Sequence, residues 1–401
     1  MDSEKITVSG VGCALADFLY TNIDFTSPVC QKYLSKKEGD GGMSPGKLIF
    51  TEELEKFANK PFPEILSEIV GRQSPDVFNL GGPSLVSLIH ASQVLDSHEY
   101  EVKFFGIAGD DEISRRIFEG LKRIPLDIRN YSKNKEYTTP FTYVLSDPGY
   151  NNGTGERTFI NNIGAAWFFD KSMLGEEFFN SDMVCFGGTA LMPQIHDDLT
   201  GLLQQAKDKN CIAVVNTVYD FRNEKENPGY PWPLGNSSRS FGLIDVLIMN
   251  AEESIKISGQ KSLDDAVDFF MASGVSSFII TNGASDVIAF SGGELFAKTG
   301  SPLRMPISEK VSSELPSIPA NQRDTTGCGD NFAGGIISSL AWQIKNKAKG
   351  EFDLTEAVSW GIASGGFACY TVGGTYFEKY PGEKLNLISE LQKDYLRQVG
   401  A

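Results

Sequence analysis

The sequence has few histidines and no paired cysteine motif. Only His90, His98 and His196 occur among 401 residues, and the six cysteines are scattered without a Cys-x-x-Cys pair. Common zinc sites need clustered cysteine and histidine ligands, so a metal centre of that kind is not expected. The lack of a disulfide framework indicates a reducing compartment, which predicts the cytoplasm.

Long apolar runs and an excess of basic charge are also missing. No run reaches the roughly 18 apolar residues of a membrane span, and the N-terminal MDSEKITVSGVG lacks the apolar length of a signal peptide. Lys and Arg number 36 against 52 Asp and Glu, so the formal net charge is -16. We therefore expect a soluble protein with no membrane or nucleic-acid partner, in which backbone N–H groups can still bind a phosphate locally.

The chain does contain the patterns of a large α/β core. Hydrophobic residues make up 41% of the sequence. Short apolar runs ending in Gly, Asn or Asp predict buried strands at 5–12, 101–109, 182–188, 211–216, 245–250 and 277–283. Helical periods predict helices at 84–95, 114–124, 197–208 and 262–273. Alternating strands and helices predict a parallel sheet whose ligands bind beyond the carboxyl ends of the strands.

Two regions depart from this alternation. Residues 18–75 are polar with Gly and Pro clusters, and residues 137–163 show two strand patterns around a loop rich in Gly, Asn and Asp. A hairpin inserted in an α/β chain predicts a small antiparallel flap beside the main sheet. We find no internal repeat, and we expect a single domain over 1–401, with segments 14–55 and 135–165 contributing to the flap.

Two short motifs are weak candidates for phosphate or dinucleotide binding. GGMSPGKL (41–48) nearly fits a phosphate-binding loop, but Leu48 stands where a hydroxyl must reach magnesium, and no strand precedes it. GVGCAL (10–15) begins like a dinucleotide fingerprint and lacks the third glycine. A flexible loop and a strand end are the preferred interpretations.

The stretch NQRDTTGCGDNFAGGI (321–336) is the strongest candidate for chemistry. Gly327 and Gly329 flank a tight turn, and a helical pattern begins directly after Asp330. A helix N-terminus binds anions because its first N–H groups are unpaired and it carries partial positive charge. The turn would stabilise a transferring phosphoryl group, and Asp330 would take a proton from an attacking hydroxyl. Spacing alone favours an ordinary aspartate N-cap, which is common at helix starts, over a catalytic role.

DTTGCGDNFAGG resembles the signature of the PfkB (ribokinase-like) carbohydrate kinase family, usually D-T-x-G-A-G-D. GVGCALADFLY is similar to the strand-end segment of that family, FNLGGPS to its Gly-Gly sugar turn, and FFGIAGDDEISRRIFEGL to its G-x-x-G-x-D segment. GERTFINNIGAA resembles its lid strand, NAEES its N-x-x-E segment and ITNG its nucleotide-side T-x-G segment. The resemblance covers nearly the whole chain.

This resemblance implies a ribokinase-like α/β fold, a three-layer sandwich with a mostly parallel sheet and a small antiparallel β lid. It implies transfer of the γ-phosphoryl group of ATP to an alcohol, with Asp330 as general base. The implied catalytic residues are Asp330, Gly327, Cys328 and Gly329. The implied substrate-binding residues are Asp17, Gly81 and Gly82.

The resemblance also implies ATP and Mg²⁺ as cofactors, with K⁺ as a further candidate. The implied nucleotide-side residues are Asn250, Glu253, Thr281 and Gly283, and the implied metal-site residues are Asp324, Glu253 and Gly373. Structural roles stay open for two of these groups. Asn250 and Glu253 together suit a helix cap, and Asp17 suits the end of a strand or the start of a turn.

Three positions depart from the family pattern. Val86 stands where an Asn normally helps to hold the sugar, so the pattern of hydroxyl groups recognised here is expected to be unusual. Cys328 replaces the usual Ala, and Ser114 replaces a common Gly. A cysteine at a helix N-terminus can act as a nucleophile, but the sequence suggests no histidine partner, and a small residue that lends its N–H is preferred.

The acceptor is left open between a small sugar and a nucleoside. The long segment between Asp17 and Gly81 and the position of Asn216 look more like the adenosine-kinase branch, whereas Val86 departs from both branches. We expect a sugar. A non-catalytic member of the fold, with a binding or regulatory role, should have lost Asp330 or the Gly-x-Gly turn, and a hydrolase is the third alternative. A homodimer that pairs through the lid is a further expectation.

Overall fold

The computed structural model describes residues 5–37, 39–153, 155–319 and 325–400. The strands are β1 Ile6–Gly12, β2 Leu15–Tyr20, β3 Leu48–Phe50, β4 Val77–Gly81, β5 Tyr100–Gly109, β6 Asp127–Asn134, β7 Phe141–Asp147, β8 Glu156–Asn162, β9 Met183–Gly187, β10 Ile212–Asn216, β11 Val246–Asn250, β12 Ser277–Asn282, β13 Ser285–Ser291 and β14 Leu303–Met305.

The α-helices are α1 Cys30–Tyr33, α2 Thr51–Ala58, α3 Phe62–Val70, α4 Pro83–Val94, α5 Glu112–Leu121, α6 Tyr150–Gly153, α7 Gly175–Phe179, α8 Pro193–Asp208, α9 Phe221–Glu226, α10 Ala251–Ser258, α11 Leu263–Ala272, α12 Glu309–Glu314, α13 Cys328–Asn346, α14 Leu354–Ala368 and α15 Glu383–Val399. Short 3-10 helices occur at Gly164–Phe168, Lys171–Met173, Thr189–Leu191, Ser238–Leu243 and Leu315–Ser317.

A 9-stranded sheet forms the centre, in the order β14-β13-β12-β11-β10-β9-β1-β5-β6. The strands from β12 to β6 in this order pair in parallel, and β13 and β14 add two antiparallel pairings at one edge. The strand β1 has β5 as its neighbour on one side and β9 on the other, so the strand order along the sheet reverses direction at β1. This reversal of order creates a crevice at the carboxyl ends of β1 and β9, which is where open α/β sheets bind ligands.

Helices cover both faces of this sheet, as the apolar strand sequences predict. Along β10, Val214 packs into one core with α4 and α13, whereas Ala213 and Val215 pack into a second core with α8 and α11. The same alternation holds in β11. Because both faces are buried, the strands are almost continuously apolar, and three layers result. The fold class predicted from sequence is confirmed.

The second sheet has five strands in the order β3-β8-β7-β2-β4. It contains the expected antiparallel pair of β7 with β8. It also contains an unpredicted antiparallel pair, β2 with β4, and two parallel pairs, β2 with β7 and β3 with β8. Four strands come from the segments 14–55 and 135–165. The fifth, β4 at 77–81, lies outside them and brings the Gly81-Gly82 turn into this sheet.

Two predicted helices begin earlier than their apolar periods suggested. The structure starts α4 at Pro83 and α8 at Pro193, each with proline in the first turn. Proline suits that position because its fixed φ matches the helix and its missing N–H is not needed there. Among the helices in the described part of the chain, none has both the length and the apolar character of a bilayer-crossing segment.

Candidate active site

The predicted anion turn lies at the start of α13. Gly327 has a φ of 75°, and a Cβ placed on it would lie 2.5 Å from the Cα of Gly374. Both observations require glycine there. No atom of the described residues lies within 4 Å of a Cβ built on Gly329, so none of them fills that side of the turn. No side chain in the described residues caps α13, which leaves its first turn able to bind an anion.

One predicted donor of this turn has a partner already. The Cys328 N–H donates to the Thr325 carbonyl over a long 3.3 Å. A phosphoryl oxygen would therefore share this donor. The neighbouring Gly329 N–H belongs to the same first turn, where α-helical N–H groups have no carbonyl partner four residues back.

Asp330 lies in the first turn of α13 with its side chain partly buried. Burial, and then the charge of Glu253, raise the pKa of Asp330 to about 7. The helix N-terminus favours the ionised carboxylate, but burial outweighs that effect. A carboxylate with a pKa near neutrality can accept a proton from a hydroxyl and return it at physiological pH.

Glu253 and Asn250 form a complete capping box at the start of α10. The Asn250 Oδ1 accepts from the Glu253 N–H at 2.8 Å, and the Glu253 Oε2 accepts from the Asn250 N–H at 3.0 Å. The same Oε2 accepts from the Thr217 hydroxyl at 2.6 Å. Glu253 is buried, which raises the pKa of its carboxyl, whereas Asn250 is exposed. The capping role left open by the sequence is thus real, and it does not preclude a role with a cation.

A cavity of about 540 Å³ lies against the anion turn. Its wall includes the predicted Thr281, Gly283, Cys328 and Gly329. The other lining residues are Ala284, Val287, Ile307, Ser308, Val311, Ser312, Leu315, Pro316, Thr325, Phe332, Ile362, Gly365, Gly366 and Cys369. Five of these, Val311, Ser312, Ile362, Gly365 and Gly366, come from α12 and α14, and they were missed from sequence because side chains of these helices look like ordinary core. The Gly pair in ASGGFACY is a usable signal, since glycine inside a helix often marks a close approach.

The predicted substrate residues lie where β2 pairs with β4. A Cβ on Gly81 would lie 2.1 Å from the Asp17 Oδ2, and a Cβ on Gly82 would lie 2.0 Å from the Cys13 carbonyl oxygen. Gly82 has a φ of 98°. The Gly-Gly turn is therefore required so that the buried Asp17 carboxylate can lie against it.

Two polar side chains at the crevice beside the carboxyl ends of β1 and β9 were not predicted as site residues. Ser84 packs against Gly12 and Gly187, where a Cβ on either glycine would lie 2.3 and 2.7 Å from the Ser84 Cβ. The Ser84 Oγ and the Asn216 Oδ1 are buried and have no hydrogen-bond partner among the described residues. Such groups are usually satisfied by a ligand or water, so they are candidates for contact with the acceptor.

The lid and the anion turn are joined through the loop at 372–375. The Asn79 side chain donates to the carbonyls of Val372 and Thr375, both at 3.2 Å, and accepts from the Thr375 N–H at 2.9 Å. Gly373 has a φ of 85°, and a Cβ there would lie 2.5 Å from the Asn79 Nδ2. The predicted metal residue Gly373 thus packs against the lid strand, while the predicted Asp324 lies outside the described residues.

Val86 packs on the same loop, with its Cγ2 3.1 Å from a Cβ placed on Gly374. The side chain is buried, at 2% exposure. An apolar contact therefore replaces the polar group expected at this position. Hydroxyl recognition would fall instead to Asp17 and to unpredicted neighbours such as Ser84.

A buried polar network supports the anion turn from behind. The Asn331 amide donates to the carbonyls of Gly327 at 2.9 Å and Gly374 at 2.8 Å. Its Oδ1 lies 3.0 Å from the His90 Nδ1 and 3.1 Å from the Lys384 Nζ. Burial lowers the pKa of Lys384 to about 7, against the opposing charge of Glu378, and lowers the pKa of His90 as well. Asn331 therefore fixes the turn and the neighbouring loop in one geometry.

Comparison with known proteins identifies the family. The model of the pfkB family carbohydrate kinases matches residues 63–379. The chain belongs to the pfkB family. As a pfkB-family kinase it is a phosphotransferase, and the kinase class predicted from the sequence is confirmed. The ribokinase of Staphylococcus aureus is 21% identical over 266 residues, which is 65% of this kinase and 73% of the ribokinase.

Solved structures agree on the fold. Adenosine kinase from Schistosoma mansoni in complex with 2-fluoroadenosine superposes with a TM-score of 0.68 at 13% identity, over 92% of this kinase and 97% of that chain. Anopheles gambiae adenosine kinase gives 0.65 at 19% identity, over 90% and 95%. Thermotoga maritima ribokinase gives 0.60 at 16%, over 97% and 99%. At these identities the likeness shows a ribokinase-like fold, and it does not select the acceptor.

Proposed function

We propose that this pfkB-family kinase transfers the γ-phosphoryl group of ATP to a hydroxyl of a small sugar. The observation that carries the proposal is the position of Asp330. This acid, with a pKa of about 7, lies in the first turn of a helix that no side chain of the described residues caps, and it directly follows Gly329, a wall residue of the cavity. A proton acceptor and an anion site thus share one helix end.

The cavity of about 540 Å³ suits the nucleotide. Val287, Ile307 and Val311 give it an apolar wall for a base, and Cys328 and Gly329 bring the anion turn to its edge. The acceptor would bind on the other side of the turn, against Asp17. These two sides meet through the loop at 372–375, which contacts Gly327 through Gly374.

In the proposed step, the acceptor hydroxyl loses its proton to the Asp330 carboxylate as its oxygen attacks the γ-phosphorus. The bond from the γ-phosphorus to the bridging oxygen breaks, and ADP leaves with that electron pair. The N–H groups of Gly327, Cys328 and Gly329 stabilise the charge on the transferring group. In comparable oxyanion holes, one such donor contributes about 2.7–4 kcal/mol.

The residues present fit Mg²⁺ as a partner of the phosphates. The charge of Glu253 contributes to the raised pKa of Asp330, so the two carboxylates lie close enough to interact. No three acidic, histidine or cysteine side chains in the described ranges could hold a metal ion alone. This suits Mg²⁺, which usually binds through one or two carboxylates plus substrate phosphates. When bound, it would neutralise phosphate charge, with Glu253 and Asn250 behind it.

A nucleoside is the alternative acceptor. Its support is the similarity of fold to adenosine kinases and the long segment before Gly81. The support for a sugar is the curated ribokinase relative and the family description. Each acceptor would present vicinal hydroxyls to Asp17, so the site chemistry on this side is shared.

Three further features stay proposals. K⁺ would bind near Gly373 and Asp324, and omission of K⁺ from the assay tests it. A homodimer would pair through the lid, and sedimentation of the wild-type chain tests that. A cytoplasmic location fits the use of ATP and is tested by cell fractionation.

The decisive experiment is ADP release with Mg²⁺ and ATP against a panel of sugars and nucleosides, for wild type and Asp330→Asn. One acceptor should raise ADP release, and the variant should lose about 10²–10⁴-fold in kcat, the range of general-base catalysis. ATP binding by calorimetry should survive in the variant. Equal rates in the two proteins would exclude Asp330 as the base, and phosphate release without an acceptor product would indicate a hydrolase.

A further inference from the structure

Two cysteine side chains meet at the wall of the nucleotide cavity. The Sγ atoms of Cys328 and Cys369 lie 3.3 Å apart without a disulfide between them. Both residues are partly exposed, and both line the cavity of about 540 Å³. The pair is therefore within reach of small molecules that enter the nucleotide site.

The packing of α13 on α14 fixes this approach. A Cβ placed on Gly365 would lie 3.0 Å from the Cys328 carbonyl oxygen, and one on Gly361 would lie 2.9 Å from the Phe332 ring. Glycine at these positions lets the two helix backbones come close. The first residue of α13, Cys328, and the residue that follows α14, Cys369, are thereby held face to face.

The remaining cysteines have a different environment. Cys13, Cys30, Cys185 and Cys211 are each at most 2% exposed. Burial raises the pKa of each of these thiols, which keeps them protonated and poorly nucleophilic. Only Cys328 and Cys369 thus combine access to solvent with a thiol neighbour.

We propose that Cys328 and Cys369 are an oxidisable dithiol, which hydrogen peroxide or a related peroxide converts to a disulfide and which bound nucleotide shields. The effect on catalysis rests on the proposed function of the cavity. One thiol loses its proton and attacks a peroxide oxygen; the O–O bond breaks, and the departing hydroxide takes up that proton as water, leaving a sulfenic acid. The second thiol then displaces the hydroxyl, which leaves as a second water, and the S–S bond forms. Two thiols are oxidised and one peroxide is reduced.

Disulfide formation should disturb the anion turn. The two sulfurs must approach by about 1.3 Å, from 3.3 Å to a bond length near 2.0 Å. Cys328 moves with the turn because it lies between Gly327, which is packed on Gly374, and Gly329. A displacement of about 1 Å at a catalytic group can lower the rate about 10²-fold. We expect the oxidised protein to lose activity to that extent and to recover it with dithiothreitol.

The test treats the reduced full-length protein with hydrogen peroxide, with and without MgATP, and then blocks the remaining thiols. Peptide mapping by mass spectrometry locates the disulfide, and each sample is also assayed for kinase activity and for binding of a fluorescent ATP analogue. Cys369→Ser removes one partner. Cys211→Ser is the matched control, since it also lacks one cysteine but keeps the pair. Activities are compared with the reduced form of the same variant.

We expect a link between Cys328 and Cys369 in wild type and in the control, slowed by MgATP. Cys369→Ser should form no link, and its Cys328 should oxidise further to a state that dithiothreitol does not reverse. Absence of the link in wild type, or a link that leaves both activity and analogue binding unchanged, overturns the proposal.

The two proposals fail separately. A link that blocks analogue binding in a protein with no acceptor supports the dithiol and rejects the kinase reaction. An active kinase that keeps full activity and full analogue binding when linked rejects the dithiol alone.

Discussion

Two helix N-termini carry predicted site residues, and they differ in how their first N–H groups are used. At α10, Asn250 and Glu253 satisfy each other's backbone in a capping box. At α13, the turn begins at Gly327 in the left-handed region, and no side chain of the described residues caps it. The first helix end is closed by its own side chains, and the second is open to a ligand.

This difference shows what spacing alone leaves undecided. Both sequences, NAEES and GCGDN, place an acid within the first helical turn. Only the structure shows that Glu253 turns back onto Asn250, whereas Asp330 has no such capping bond in the described part of the chain. The open end is the better candidate for the transferring phosphoryl group, and the closed end for supporting a cation.

The largest expected effect comes from closing the open turn. Gly327→Ala should lower kcat by about 10²–10³-fold, the cost of losing one oxyanion-hole donor, because the new Cβ meets Gly374 at 2.5 Å. Gly382→Ala is the matched control. Gly382 also precedes a helix with a φ of 83°, but nothing lies within 4 Å of its Cβ. Equal kinetic losses in the two variants would show that backbone strain, and not the turn, sets the rate.

The next effect concerns the pH dependence of Asp330. Its pKa of about 7 is raised, so the carboxylate is available only above that pH. We expect kcat to fall about tenfold for each pH unit below the pKa. Asp330→Asn should give a low rate without this slope. A wild-type kcat that stays constant from pH 5 to pH 8 would indicate a carboxyl pKa near its unperturbed value of about 4 and would contradict the assignment.

The contribution of Asp330 to the free energy of unfolding should fall as pH rises, whereas kcat should rise. Because the pKa of Asp330 rises from 3.8 to about 7 on folding, the folded protein binds the proton more tightly than the unfolded chain. The resulting stabilisation is complete below 3.8 and is lost as pH rises through about 7. The Tm of Asp330→Asn relative to wild type should therefore increase across that window. A constant difference in Tm would show that the carboxyl is not perturbed.

A smaller effect is expected where the lid meets the loop at 372–375. Asn79→Ala removes three hydrogen bonds from this loop, each with a net value of about 0.5–1.5 kcal/mol. We expect a rise in KM for the acceptor of roughly tenfold, with little change in KM for ATP. Steady-state kinetics with each substrate varied in turn provides the measurement. A selective rise in KM for ATP would show that Asn79 supports the nucleotide side of the site and not the acceptor side.

The smallest effect should come from the closed helix end. Asn250→Ala should destabilise the protein by about 1 kcal/mol, the usual cost of a lost N-cap. The control is Ser262→Ala, which removes the N-cap of α11, a helix that carries no predicted site residue. Urea unfolding should give similar losses for both. Only Asn250→Ala should raise the Mg²⁺ concentration needed for half-maximal activity, and the same requirement in both variants would leave Asn250 with a capping role alone.

The sequence predicts the fold well because its signals are local. Apolar runs that end in Gly or Asn give the central strands to within a residue, and the hairpin at 137–163 appears as β7 and β8. The strand β4 was overlooked because only five residues separate the polar 18–75 region from the Gly-Gly turn. Its pairing with β2 depends on contacts that a local pattern does not contain.

The site was only partly predictable for the same reason. Asp17, Gly81 and Asp330 were predicted because they stand in short sequence motifs, and their roles stay predictions. Lys384 gave no signal, because a lysine in an amphipathic helix is normally a surface residue. Its burial becomes evident only when α15 packs behind Asn331.

The anchoring of Asn79 and Asn331 has a consequence for synthesis of the protein. Asn79 bonds to Val372 across 293 positions of sequence, and Gln93 bonds to Lys384 across 291. Synthesis must therefore proceed past residue 384 before β4 and the anion turn can be held together by these contacts. A nascent chain that ends before residue 372 lacks every one of these contacts to the loop at 372–375 and to α15. The helix α15, remote from β4 in sequence, thus completes the contacts that hold the anion turn from behind.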